Sequence, residues 1–454
     1  MRAAVAWVED RQYRLLTGLL VVAAVFMAQL PDGLSWASVG RPDSFSGAGT
    51  VLARLQWFPL FGLAAWVLVS RFRLAMAMLP HLNPFLVLTM LWLLASCLWS
   101  YDPNLSLRRA IKMLGTVLIC WSVVLASWDY GRFERLLRWT LLAFLLGSLL
   151  FMLARPTLGI HQADETEPLL AGCWRGLATH KNSFGLVASF SLVFWLQAWL
   201  TGARRGLALW AMAISLICVL GARSSTSLLC GLLASSLMVT ALRTRLMHRP
   251  GGLLLFAGAL LLVPFLVLVI VNGFPSIEQA LGPLTRLLGR DLSFTGRVPL
   301  WDALLDEIPR RPLLGAGFQA FWGPPGSLSD AARAKAGWIS ANGHNGYLDT
   351  VNELGLIGLA LILAAIAFDL RRARQLSALS ASLFGLQLAL HAYQLIANLS
   401  ETMFWRAISM TFLLTTLASF HLARIQLDLD LRRRTGAPLP VSTPPSEVSR
   451  HAYS

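Results

Sequence analysis

The residues best equipped for chemistry gather in one short stretch. Asn342-Gly343-His344-Asn345-Gly346-Tyr347 runs on through Leu348-Asp349 to Gly355-Leu356-Ile357-Gly358. An unperturbed imidazole titrates near neutrality, so a histidine here can accept a proton from an attacking hydroxyl. Two arginines upstream stand in confined settings. Arg223 occupies the short turn Ala222-Arg223-Ser224-Ser225 between two apolar runs, and Arg297 follows glycine in Thr295-Gly296-Arg297-Val298. Guanidinium groups grip phosphate oxygens with two prongs, which lysine cannot do. A histidine base beside two arginines suits the displacement of a diphosphate, whose leaving charge the arginines neutralise. The bland alternatives are a polar helix cap for His344 and snorkelling membrane-edge anchors for the arginines.

Accessory candidates surround this set. Arg108 and Arg109 follow Trp99-Ser100-Tyr101-Asp102-Pro103, where they either hold a second phosphate or cap the start of a span. His180-Lys181-Asn182 opens another apolar run, with the same ambiguity for His180 and Lys181. Arg290 precedes Arg297 by two helical turns or less, and Asn345 adjoins the histidine. Glu401, in Asn398-Leu399-Ser400-Glu401-Thr402, sits at a span entrance, where a carboxylate favouring a helix N-terminus is the simpler account. His391 lies in mid-span and is expected to be buried and hydrogen-bonded. Asp291, Asp302, Asp306 and Glu307 read as loop surface, so no metal site and no cofactor are expected.

The chain that must position these residues is 454 residues long, 56% hydrophobic and 13% charged. A soluble domain cannot hide that much apolar surface, and the apolar runs are continuous rather than alternating. The expected fold is therefore all-α: a polytopic membrane protein of about twelve transmembrane helices, each needing ~20 apolar residues. The runs fall at 15–30, 51–70, 84–100, 110–128, 137–154, 183–201, 207–221, 226–242, 252–272, 346–368, 375–396 and 403–423. The first run follows Arg11 and Arg14 without a small-residue cleavage site, so it is expected to stay as a span.

Arginine asymmetry sets the orientation. Arg71/Arg73, Arg132/Arg135, Arg204/Arg205, Arg243/Arg245/Arg249, Arg371/Arg372/Arg374 and Arg432 to Arg434 fall in alternate connections, which predicts both termini inside. A single domain, 1–435, then carries one large outside loop at 273–341 with short helices, and 436–454 reads as a disordered cytoplasmic tail. The net charge of +15 fits inside-facing arginines and an anionic substrate, with no need for nucleic acid. Cys97, Cys120, Cys218 and Cys230 fall inside apolar runs and Cys173 stands alone in a loop, which argues against a disulfide framework.

His344-Asn345 followed by Gly355-Leu356-Ile357-Gly358 resembles the histidine motif of the O-antigen ligase and polymerase superfamily. Thr295-Gly296-Arg297 with Trp301, then Arg311-Pro312-Leu313-Leu314-Gly315-Ala316-Gly317-Phe318, resembles that family's large periplasmic loop. The resemblance implies a bacterial inner-membrane glycosyltransferase acting at the periplasmic face, with a glycan on undecaprenyl diphosphate as donor. It implies His344 as catalytic base, Arg223 and Arg297 as diphosphate ligands, and a metal-independent inverting displacement. The implied acceptor is a growing glycan or lipid A–core, among membrane lipids and other polysaccharide-assembly proteins. Trp99-Ser100-Tyr101-Asp102-Pro103, Phe321-Trp322 and Asn398-Leu399-Ser400-Glu401 look more like exopolysaccharide polymerases than dedicated ligases. A lipid-linked sugar flippase is the rival of another class, although no half of the chain resembles the other.

Overall fold

A computed structural model describes residues 11–36, 51–126, 131–165, 167–243, 297–323, 326–337, 340–406 and 408–436. Among these residues every regular element is helical, and Ile160 and Trp174 form an isolated bridge. The principal helices are α1 Arg11–Met27, α2 Val51–Ser70, α3 Phe72–Met78, α4 Pro84–Ala95, α5 Pro103–Leu125, α6 Arg132–Ala154 and α7 Lys181–Leu200. They continue as α8 Arg205–Ala222, α9 Ser225–Arg243, α10 Arg297–Glu307, α11 Asp330–Ala336, α12 Gly346–Gln375, α13 Ala381–Ala397 and α14 Met410–Thr435. The apolar run 252–272, Arg290, the first part of the large loop and the tail from 437 lie outside the described residues.

Helix starts follow from capping chemistry in the sequence. Asn83, Asp102, Ser380 and Ser409 each turn a side-chain oxygen onto a first-turn backbone N–H. Pro84 and Pro103 occupy first positions, where no N–H is needed. Five described helices, α6, α7, α8, α9 and α12, are long and apolar enough to cross a membrane, or up to six if the pair α2–α3, bent by 88°, counts as one span. The 403–423 run becomes helical only at Met410, because Trp405 and Ile408 take positive φ angles of 44° and 66° in the preceding loop.

At the centre lies α13, buried along almost its whole length, with α7, α9, α12 and α14 packed around it. Its His391 is buried as expected, yet neither ring nitrogen has a hydrogen-bond partner, and the Asp369 carboxylate stands 4.0 Å away. The expected hydrogen bond is not made, because the nearest acid is beyond bonding distance.

The two ends of the bundle differ. At one end Arg71 covers the Tyr13 ring at 4.1 Å, Arg132 donates to the Arg14 carbonyl at 2.7 Å, Arg372 donates to the His81 carbonyl, and His81 faces Asp430 at 3.7 Å. The other end carries the α6–α7, α8–α9 and α13–α14 connections and the described part of 297–345.

That last segment is held by a break in α12. Gly355 has φ 70° and ψ −177°, a conformation essentially confined to glycine, and a Cβ there would sit 1.9 Å from the Leu313 carbonyl oxygen. The break takes helix carbonyls away from their usual partners. Ala316 N donates to Asn352 O at 2.8 Å, Gly317 N to Glu353 O at 2.9 Å, and Trp92 Nε1 to Leu354 O at 3.0 Å. At the break, Leu356 N donates to Pro312 O at 2.8 Å. The Pro312–Phe318 stretch is thereby laced along the first turns of α12. Replacing Gly355 with alanine adds both backbone strain and a clash, and is expected to destabilise the fold by roughly 2–4 kcal/mol. Thermal unfolding in detergent should show a midpoint lowered by several degrees; an unchanged midpoint would mean that the lacing does not hold the loop.

Candidate functional site

His344 ends the loop and Asn345 begins the helix. Asn345 is the N-cap of α12, its Oδ1 accepting from Tyr347 N and Leu348 N at 3.1 Å each. His344 itself takes a left-handed conformation, φ 48°, with its N–H donating to Asn342 Oδ1 at 2.9 Å. The cap is thus the residue after the histidine, and the imidazole is left for other work. Its side chain is 22% exposed, open enough to meet a substrate.

The turn is fixed from below by one buried carboxylate. Asp349 accepts from Gly343 N at 2.8 Å, from Trp322 Nε1 at 2.7 Å and from the Thr402 hydroxyl, and pairs with Arg406 at 3.2 Å. Arg406 also reaches Glu353 at 3.0 Å, and Trp301 Nε1 donates to the Gly343 carbonyl at 2.8 Å. Gly346 must be glycine, since a Cβ would fall 1.8 Å from Asn398 Oδ1, and its N–H bonds the carbonyls of Asn398 and Glu401. The histidine turn, α10 and the α13–α14 connection are therefore one hydrogen-bonded unit.

Glu401 crosses this unit to meet the histidine. Its Oε2 faces His344 Nδ1 at 3.4 Å, while its Oε1 faces Arg297 at 3.3 Å and accepts from Asn182 Nδ2 at 2.8 Å. Arg297, the first residue of α10, also donates to the Ser400 carbonyl. Burial raises the Glu401 carboxyl pKa, but the His344 hydrogen bond and the charges of His344, Arg297 and His180 outweigh it. The net shift is downward, and the group is an anion. A carboxylate on Nδ1 selects the tautomer that carries its proton there, which makes Nε2 the basic nitrogen. The helix-terminus reading of Glu401 is thereby corrected: it stands in a loop well before α14, and its partners are side chains.

A pair of histidines supports the start of α7. His180 Nδ1 accepts from Asn182 N at 3.2 Å, and His161 Nε2 accepts from Lys181 N at 3.2 Å. The two rings meet edge to face at 5.3 Å. His161 Nδ1 bonds Glu165 at 2.9 Å, and Arg175 clasps the same carboxylate at 2.7 Å. His180 faces Glu167 at 3.7 Å. Burial and then the nearby His180 pull the His161 pKa down to about 4, against a weaker upward pull from Glu165. Asn182, absent from the sequence candidates, is held at this helix start and delivers its amide to Glu401. Its only signal in the sequence was its place beside two candidates, in His180-Lys181-Asn182.

The remaining candidates divide. Arg223 is an exposed left-handed residue, φ 48°, closing α8, and its carbonyl accepts from Lys181 Nζ at 3.2 Å. Both therefore stand beside the residue that holds Glu401. Arg109 instead ties α5 to the loop through the carbonyls of Gln319 and Trp322, and exposed Arg108 bonds the Asn104 carbonyl of its own helix at 3.2 Å. Asp302 and Asp306 lie on the surface of α10, paired with Lys335. Among the described residues no group of three or more His, Cys, Asp or Glu is arranged to hold a metal ion.

Comparison with known proteins places these residues in company. The O-antigen ligase family matches residues 210–363, a segment that includes Arg223, Arg297 and His344 and leaves out Asn182 and Glu401. The chain is also 28% identical, over 283 residues, to the exopolysaccharide production protein ExoQ of Rhizobium meliloti (strain 1021). That likeness covers 58% of this chain and 59% of the relative.

His161 gives the site a measurable signature. Its pKa is about 4 in the fold against 6.5 for a free histidine, so between those values the unfolded chain binds more protons. The stability it contributes is complete above pH 6.5 and is lost as the pH falls from 6.5 to about 4. The gap in thermal midpoint between wild type and His161→Gln should therefore narrow across that window. A gap that stays constant would remove His161 from the support of α7.

Proposed function

Taking the likeness to the O-antigen ligase and polymerase superfamily as premise, we propose that this protein is a membrane glycosyltransferase. It moves a glycan from a polyprenyl diphosphate, undecaprenyl diphosphate in a bacterial inner membrane, at the periplasmic face. The observation that carries the reading is the Glu401 carboxylate set between His344 and Arg297, which puts a polarised base beside a guanidinium. In the reaction an acceptor hydroxyl attacks the anomeric carbon while His344 Nε2 takes its proton. The bond from that carbon to the diphosphate oxygen breaks, the diphosphate leaves with the electron pair, and the anomeric centre inverts. Arg297 and Arg223 neutralise the departing charge, so the transfer needs no metal ion. The relative's name as an exopolysaccharide production protein favours joining of repeat units over ligation to lipid A–core.

Twelve spans with both ends inside, and 273–341 outside, bring the donor's phosphates to the depth of these side chains. Cysteines placed at Ser327 and at Ser442 should react with an impermeant reagent from opposite sides. Labelling from the same side would sink the topology and the location of the site together.

The chemistry is tested with purified protein and a lipid-linked donor. His344→Ala should bind donor normally and transfer on the order of a hundredfold to ten-thousandfold more slowly. Arg297→Lys keeps the charge and loses the fork, so donor binding should weaken and turnover fall. Transfer should persist in excess chelator. Near wild-type turnover by folded His344→Ala would reduce that residue to a surface group, and loss of activity in chelator restored by Mg²⁺ would overturn the metal-free route.

A further inference from the structure

Glu401 holds the guanidinium that the diphosphate needs. Arg297 faces Glu401 Oε1 at 3.3 Å, and the other oxygen of the same carboxylate faces His344 at 3.4 Å. Both separations exceed the ~2.7–2.9 Å of a good charge-assisted hydrogen bond. Only the neutral amide of Asn182, at 2.8 Å, is at full bonding distance. A carboxylate strung between a guanidinium and an imidazole satisfies neither completely, and losing one lets it close on the other.

We propose that a lipid diphosphate and Glu401 compete for Arg297, so that donor binding hands the carboxylate over to His344 and readies the base only once the donor is seated. The inference rests on the assignment of Arg297 to the diphosphate. It makes Glu401 a positioning residue with two successive partners, whereas the reading above needs only that Glu401 orient His344.

No covalent bond changes in this step. The Arg297 to Glu401 contact is exchanged for an Arg297 to phosphate contact, and a diphosphate, carrying more than one negative charge, wins the exchange. Asn182 keeps Oε1 from swinging away, because its own backbone N–H is fixed to His180 Nδ1 at 3.2 Å. The carboxylate freed from Arg297 then strengthens the pull of Nδ1–H and makes Nε2 the stronger base. An acceptor hydroxyl, water included, meets a less basic histidine while the donor is absent.

Binding of farnesyl diphosphate, a soluble polyprenyl diphosphate, tests the exchange. Glu401→Gln removes the competing charge, so affinity should rise by roughly tenfold, about 1.4 kcal/mol, while transfer from the full donor slows. A residue that merely supports the fold would move both readouts the same way. In an Arg297→Ala background the gain from Glu401→Gln should vanish. Equal or weaker binding by Glu401→Gln overturns the competition and leaves the diphosphate assignment standing. Unchanged binding by Arg297→Ala alone overturns the assignment itself. Should the Glu401 variant fail to fold, nitrogen NMR of His344 in the wild-type protein decides: farnesyl diphosphate should strengthen the Nδ1–H hydrogen bond, and an unmoved resonance sinks the handover.

Discussion

A helix broken inside an apolar stretch must find new partners for its backbone, and the rest of this end of the molecule depends on how α12 does so. Unpaired carbonyls in a nonpolar setting cost several kcal/mol each, so they cannot be left alone. The carbonyls of Asn352, Glu353 and Leu354 are taken by Ala316, Gly317 and Trp92, and the N–H of Leu356 goes to Pro312. The loop is thus bound to the helix by the helix's own defect. Because the break lies nine residues after Gly346, the laced segment sits close under the turn that presents His344.

Two carboxylates divide the work above that seam. Asp349 is 1% exposed, and every partner it has is an N–H, a hydroxyl or the Arg406 guanidinium, so it reads as scaffold. A buried acid of this kind is strongly destabilising when its cation is removed, by ~3–5 kcal/mol, which holds the 398–406 connection against the histidine turn. Glu401 differs in bonding to side chains that chemistry can use. The distinction comes from what each oxygen touches, since both acids are buried and both meet an arginine.

Much of this was legible in the sequence. Most of the apolar runs within the described residues fall on helices, the α8–α9 turn is Arg223-Ser224, and Asn345 has the chemistry of a cap. Spacing along the chain cannot show pairing across it. Glu401 reads as a helix-end acid because its neighbours are all that local inspection sees, while its partners are 57, 104 and 219 positions away. Asn182 was passed over for the same reason: an amide beside a histidine and a lysine looks like capping. Arg109 shows the same limit, since its two partners in the fold are loop carbonyls more than 200 positions away.

The wide separation of Asn182 and Glu401 has a consequence for how such a protein is made. A ribosome delivers α7 long before the α13–α14 connection, and the contact between the two spans 219 positions. Asn182 therefore waits 219 positions, Arg297 104 and His344 57 for the carboxylate they share. The cluster is complete only once α13 and the loop that follows it have been made. A chain stalled before that loop would hold His344 and Arg297 without the carboxylate that joins them.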